Sequence, residues 1–283
     1  MKRRTFIKTA SAGMFAGMIM PRQLIAAAAP VNNNIGLQLY SLRNEIKEDL
    51  AGSLEKIAKI GYKQLEAAGY SDGKFYGLEP QEFNTLVENL GMKVVSSHLT
   101  FKGDEVTQVL NAHKEAGIKN LVWPSLNKDQ RASLDSYREV ADHFNTIGEF
   151  CTKNNLRFGY HNHDFEFYPV EGQKPYDLLL KMTDPSLVFM QLDLYWIIYA
   201  GEDPVKYFEK YPGRFRQWHV KDMKAGEERA MTEVGTGIID FKSLFEYATK
   251  AGMKELFIEQ DEISGDGFDS VKMSFDNLSN ILL

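Results

Sequence analysis

The sequence predicts an α/β protein, a (β/α)8 TIM barrel, on three observations. From residue 35 onward, eight short β-rich runs alternate with stretches of helical apolar spacing. The region left after the N-terminal segment, residues 30–283, has the length of one such barrel, typically ~250 residues. The phrases KIGYKQLE, NLGMKVVS, EAGIKNLV and KAGMKELF repeat one helix–glycine–strand unit, as an array of identical supersecondary units would. The competing fold, an open doubly wound sheet, usually carries a glycine-rich phosphate loop after its first strand. Here that place reads LQLYSLRNE.

Residues 1–29 are read as an export signal rather than a fold element. Arg3-Arg4 precedes Phe6, an uncharged apolar run spans 9–20, and Ala26–Ala29 offer small residues to a peptidase. The paired arginines make it twin-arginine-like, with an ordinary secretory signal as the alternative, so a periplasmic or exported location is expected. The apolar run is too short to span a bilayer, which needs ~20 residues.

The eight β-rich runs are 35–40, 64–68, 93–98, 120–123, 156–161, 187–193, 214–220 and 256–259. Each is short, rich in β-branched and aromatic residues, and bounded by polar or glycine-containing segments. Helices are expected over 45–60, 80–90, 105–116, 134–153 and 241–251. In the first, Leu50, Leu54, Ile57, Ala58 and Ile60 fall on one face. Gly61, Gly91, Gly117 and Gly252 stand where helices must end before the next strand, the position of a left-handed cap.

Charge and cysteine content narrow the function. The formal charge is −6, and loss of five basic residues with residues 1–29 leaves −11. Such a surface repels phosphate backbones, which excludes nucleic acid as a partner. Cys151 stands alone, so no internal disulfide forms. Beyond the signal, no segment is apolar enough for a membrane span, and a homo-oligomer is compatible with the sequence.

In this barrel the active site lies at the C-terminal strand ends, and those ends are polar. They read QLY, SSH, GYHNHDFEF, QLDLYW, WHVKD and EQD. Alternation along the strands places Gln191 with Asp193, Gln217 with His219, Phe257 with Glu259, and Gly159 with His161 and His163. His161, Asp193, His219 and Glu259 can therefore meet at the mouth, with donors that a divalent ion (Mn, Mg, Co or Zn) accepts. Any one of them alone reads as a rim histidine or a helix cap. Buried together, the carboxylates require a cation. Glu66 is a weaker mouth candidate, and His113 and His143, on helices, receive no role.

GYHNHDFEF, QLDLYW, KYPGRFRQWHVKD, EVGTGIIDF and FIEQD, in that order, resemble the sugar phosphate isomerase/epimerase family, over about residues 35–280. The resemblance implies a xylose-isomerase-like TIM barrel and one divalent metal held by Glu, Asp, His and Glu on strands five to eight. Asp193, His219 and Glu259 match the last three. At the first, epimerases have a glutamate where this chain has His161-Asn162. The resemblance leaves Glu166 as the favoured carboxylate ligand, with His161 as its rival.

The implied chemistry is α-proton abstraction from a metal-polarised sugar carbonyl, with an enediolate as intermediate. Glu259, Glu166, His161 and His163 are candidate bases, and Lys221 is an oxyanion binder or acid unless it is spent on a salt bridge to Asp222. Tyr40, His98, Trp123, His163, Tyr195 and Trp196 offer walls for a small sugar substrate. Gly235-Thr236-Gly237 reads as a turn rather than a phosphate cradle, so an unphosphorylated sugar or keto-sugar is expected. Isomerisation or epimerisation is the first reading. Elimination of a β-substituent from a 3-keto-sugar or keto-glycoside is the alternative, and a non-catalytic exported sugar-binding protein is the second alternative. A multi-zinc endonuclease on the same barrel is excluded by the acidic charge and only six histidines.

Overall fold

The computed structural model describes residues 35–283; the expected export signal lies outside them. Eight parallel strands close into a barrel: Ile35–Gln38 (β1), Gln64–Ala67 (β2), Lys93–His98 (β3), Asn120–Trp123 (β4), Arg157–His161 (β5), Val188–Asp193 (β6), Gln217–Val220 (β7) and Glu255–Ile258 (β8). Neighbours in sequence are neighbours in the barrel, and β1 pairs with β8 to close it.

Strand alternation sets the two faces. Leu65, Leu121, Phe158, Met190, Trp218 and Leu256 are fully or almost fully buried towards the helices. Inside, β5 and β6 pair Gly159 with Phe189, and β1 and β8 pair Gly36 with Phe257. A Cβ on Gly159 would lie 2.4 Å from the Phe189 ring, and one on Gly36 2.5 Å from the Phe257 ring. The two glycines thus make room for the two rings that fill the lower barrel. Above this apolar floor the interior turns polar.

The helices follow the expected periodicity with local changes. Leu134–Lys153 runs as one helix of 20 residues capped by Ser133. The helix expected over 45–60 divides into Arg43–Glu48 and Leu50–Ile60, because Asp49 leaves helical geometry and its carboxylate caps Gly52. Gly61, Gly91, Gly117 and Gly252 all have positive φ. At Gly252 a Cβ would also lie 2.7 Å from Gly213, so glycine is needed there for space as well.

Six strands are shorter or shifted relative to the sequence reading, β2, β5 and β6 by a single residue at one end. β1 stops at Gln38 because the Gln38 side chain accepts from the Tyr40 amide, turning Leu39–Leu42 into a 3₁₀ turn. β7 starts at Gln217, since Arg214 is drawn off to the Thr183 carbonyl and hydroxyl. β8 spans Glu255–Ile258, which leaves Glu259 just past its end, its amide on the Val220 carbonyl.

Candidate active site

The polar layer is built on Glu66 of β2. Its Oε1 accepts from Ser96 (2.6 Å) and Gln191 (2.7 Å), and its Oε2 from Gln38 (2.8 Å). Gln191 also donates to Gln217 (2.9 Å), tying β1, β2, β3, β6 and β7 across the barrel. All five side chains are fully buried, so each unmade hydrogen bond would be costly. Burial raises the Glu66 carboxyl, but His98 and His219 outweigh it and hold the pKa below the ordinary value.

His219 stands on this layer between two carboxylates. Its Nε2 is 2.5 Å from Glu66 Oε2 and its Nδ1 2.6 Å from Glu259 Oε2. Burial opposes its charge, yet Glu259 and Glu66 carry its pKa up to about 10. Lys221, two residues on, reaches the same group of acids. Its Nζ lies 2.6 Å from Glu259, 2.9 Å from Asp261 and 3.0 Å from Asp193. Burial works against the ammonium, but the three carboxylates hold its pKa well above the usual lysine value.

Asp193 ends β6 and caps the helix Leu194–Tyr199 through Oδ1 and the Trp196 amide. Its Oδ2, though 3.0 Å from Lys221, forms no well-directed hydrogen bond. Burial lifts its carboxyl to about 6, the neighbouring Lys221 notwithstanding. His161 is neutral: burial, and then the nearby His219, push its pKa well down. Its Nδ1 lies 3.1 Å from Gln191 Oε1, whose amide nitrogen is committed elsewhere, so Nδ1 carries the proton. Nε2 is then the free lone pair, 3.7 Å from Asp193 Oδ2.

His161, Asp193, His219 and Glu259 each place a donor atom within 4.8 Å of the other three. Two imidazoles and two carboxylates, one with an underused buried oxygen, fit a divalent ion of borderline character, Zn²⁺, Co²⁺ or Mn²⁺ better than Mg²⁺. Glu166, favoured on the sequence as the carboxylate ligand, is elsewhere. It folds back through the 3₁₀ turn Phe165–Phe167 and is bonded by the Tyr160 hydroxyl and the His163 amide. Tyr160 packs on Phe144, in the layer between β5 and the helix Leu134–Lys153. Burial there raises the Glu166 carboxyl to about 8.

A cavity of about 480 Å³ opens above the cluster, walled by Tyr40, Tyr70, His98, His163, Thr100 and Ser125, with His161, Lys221, Glu259 and Asp261 at its base. Tyr40, His98 and His163 therefore line one cavity. His163 is kept neutral, its pKa lowered to about 3 by burial and by Lys221. Trp196 lies beside the base, its ring 5.9 Å from Lys221 Nζ and 5.6 Å from His163. Trp123 does not line the cavity; it points outward against Phe101, His143 and Phe144.

The alternative salt bridge is not formed: Lys221 does not pair with Asp222. The Asp222 carboxylate accepts from the amides of Met223, Gly235, Gly237 and Ile239, which holds the GTG turn in place. Sequence reasoning also missed Asp261 as a partner of Lys221, and the roles of Gln38, Ser96 and Gln217. The period-two phase that pairs Gln191 with Asp193 and Gln217 with His219 was the one available signal.

A closed parallel barrel with imidazoles, carboxylates and a lysine gathered at its C-terminal mouth defines a TIM-barrel enzyme. The chain belongs to the xylose isomerase-like TIM barrel family, whose sequence profile matches residues 54–269. It is similar to a sugar phosphate isomerase/epimerase structure from Parabacteroides distasonis, with 29% identity, a TM-score of 0.76, and 92% of this chain and 98% of that one covered. It is also similar to inosose dehydratases. With that of Geobacillus thermodenitrificans it shares 26% identity over 279 residues, 83% of this chain and 92% of the other. With that of Clostridium beijerinckii it shares 25% over 223 residues, 64% and 74%. Among the described residues, no helix is long and apolar enough to cross a membrane.

Proposed function

We propose that this enzyme removes the proton α to the carbonyl of an unphosphorylated keto-sugar and then expels a β-oxygen substituent, a lyase reaction dependent on one divalent ion. The observation that carries the reading is the Lys221–Glu259 contact of 2.6 Å at the base of the cavity. It sets a proton donor against an acceptor at one point, as an elimination needs.

His161 through Nε2, Asp193, His219 through Nδ1 and Glu259 would hold the ion. When bound, it supplies Lewis-acid polarisation of the substrate carbonyl. Glu259 accepts the α-proton as the C–H bond breaks, and Lys221 gives a proton to the departing oxygen as the C–O bond breaks. Proton return from Glu259 to Lys221 leaves water or an alcohol and the unsaturated ketone as products, with no redox change. Asp193 and Asp261 keep Lys221 charged until it donates.

The dehydratases among the relatives support elimination. So does the position of Glu166. An epimerase working with two carboxylates needs the second one facing the substrate, and here it is bonded to Tyr160 in the helix layer. Aromatic and imidazole walls, with no phosphate cradle among the described residues, support a neutral sugar. Export through the twin-arginine-like start is part of the proposal, supported by Arg3-Arg4 and the apolar run that follows.

The test is NMR of the metal-loaded protein with 3-keto-glucose and 3-keto-glucosides in D₂O. An unsaturated product that has lost the α-proton, with any solvent deuterium at the α-carbon confined to recovered substrate, is the expected result. Exchange with epimer formation would replace elimination by epimerisation, and neither product nor exchange with any keto-sugar would sink the reading.

A further inference from the structure

We infer that the active-site cavity continues past Tyr40 into a second subsite for another ring joined to the reacting sugar, so that the ligand is a glycoside rather than a free monosaccharide. The inference rests on the sugar-site reading above and names its substrate class. A cleft of about 320 Å³ lies next to the mouth, lined by Tyr40, Arg43, Ile46, Lys47, Ala68 and Tyr76. It shares Tyr40 and Ala68 with the catalytic cavity. The two spaces therefore meet at one wall, and together they have the capacity of a site for a ligand larger than one ring.

That wall is fixed in place although it faces solvent. Tyr40 is 43% exposed. Its amide donates to Gln38 (3.0 Å), itself bonded to Glu66 in the barrel layer. Its carbonyl accepts from Arg43 (3.0 Å), and the guanidinium lies 4.4 Å from the ring centre. Across the cleft the Ala68 amide is held by the Tyr76 hydroxyl (2.9 Å). An exposed aromatic held from both sides loses little entropy when a ring packs on it.

The link to the reaction centre is direct. Arg43 also donates to the Asp261 carbonyl (2.8 Å), and the Asp261 carboxylate is 2.9 Å from Lys221. The cleft thus borders the residues that would protonate a departing oxygen, where a second ring would hang from that oxygen. Tyr40 and Tyr76 suit the C–H face of a pyranose or an aromatic aglycone, and Lys47 at the rim suits hydroxyls.

The experiment is saturation-transfer NMR and titration of the metal-loaded protein with glucose, cellobiose and phenyl β-glucoside. At least one two-ring ligand should bind about tenfold tighter than glucose, with saturation on both rings; which one gains tells a sugar from an aromatic second ring. Lys47→Trp, an exposed site whose larger side chain fills the cleft, should abolish saturation of the second ring and bring the affinity down to that of glucose. Tyr40→Ala should weaken the two-ring ligand more than tenfold. Equal affinity for one and two rings, or second-ring saturation unchanged in Lys47→Trp, would overturn the subsite while leaving the sugar site standing. Failure of every sugar to bind would remove both.

Discussion

Glu66 Oε2 lies 2.5 Å from His219 Nε2, and both side chains are fully buried. As an imidazolium, His219 donates Nε2–H inward to Glu66 and Nδ1–H to Glu259 at the mouth. A metal ion would displace only the Nδ1 proton, and the Glu66 carboxylate would keep the other on Nε2. Carboxylates behind metal-binding histidines commonly contribute ~10–100-fold in metal affinity. Glu66→Gln should therefore weaken Zn²⁺ or Co²⁺ binding by that factor, read by calorimetry, and alter the visible spectrum of the Co²⁺ form. Unchanged affinity in a folded variant would leave Glu66 with a purely structural part.

Lys221 would repel a divalent ion held beside it, since its ammonium is within 3.0 Å of Asp193, Glu259 and Asp261. Lys221→Met should bind the ion at least about tenfold tighter while losing turnover, because repulsion within this distance easily exceeds ~1.4 kcal/mol. The metal-free variant should melt well below the metal-free parent, because three acids are left without their cation. Adding metal should restore more of that loss than it gives the parent. A variant that binds metal more weakly than the parent would show that Lys221 supports the site.

What the sequence revealed and what it hid divide along local and non-local lines. Glycine caps, strand order and the inward phase of His161, Asp193, His219 and Glu259 follow from patterns a few residues long, and all were readable. The only partner the local sequence offers Lys221 is its neighbour Asp222, but its acids come from β6 and the end of β8, one of them 40 residues away. Glu166 lies beyond the regular strand, where phase carries no information. The 3₁₀ turn Phe165–Phe167 decides its direction. Gln38, Ser96 and Gln217 look like ordinary strand residues until closure of the barrel brings them around Glu66 and Gln191.

The two rivals for the first ligand position can be separated directly. His161→Ala should lower metal affinity by about tenfold or more, because Nε2 is held towards Asp193 by the Gln191 bond on Nδ1. Glu166→Gln should leave metal stoichiometry and affinity unchanged. Elemental analysis with competitive titration measures both. Loss of metal in Glu166→Gln, with His161→Ala intact, would reverse the assignment.

Glu166 also sets a pH dependence opposite to that of most carboxylates. Its pKa is raised to about 8 by burial, against ~4.3 in an unfolded chain. Between these values the folded protein keeps a proton that the unfolded chain has released. Its contribution is therefore whole below ~4.3 and falls by ~1.4 kcal/mol per pH unit up to about 8. Glu166→Gln mimics the neutral acid and should flatten this fall, so its advantage over the parent grows from pH 5 to pH 8 in denaturant melts. Parallel curves for the two proteins would mean that Glu166 is ionised when folded.

Asp222 is the keystone of the loop that follows β7. It is fully buried, and its two oxygens accept four backbone amides, at 2.8 Å from Met223, 2.9 Å from Gly235, 2.9 Å from Gly237 and 3.1 Å from Ile239. Asp222→Ala leaves these donors without an acceptor, a loss of about 3 kcal/mol, or roughly 6–12 °C in Tm for a chain of this size. Gly237→Ala should act through the same contact, because a Cβ there would lie 2.3 Å from the Asp222 carboxylate. Asp222→Asn keeps one acceptor oxygen and should fall between. Since Lys221 precedes Asp222 in the chain, kcat/KM should fall further than stability alone accounts for, in assays run below the lowered Tm. Asp222→Ala with parental Tm and activity would mean that the GTG turn is held by its own backbone and that the carboxylate is dispensable.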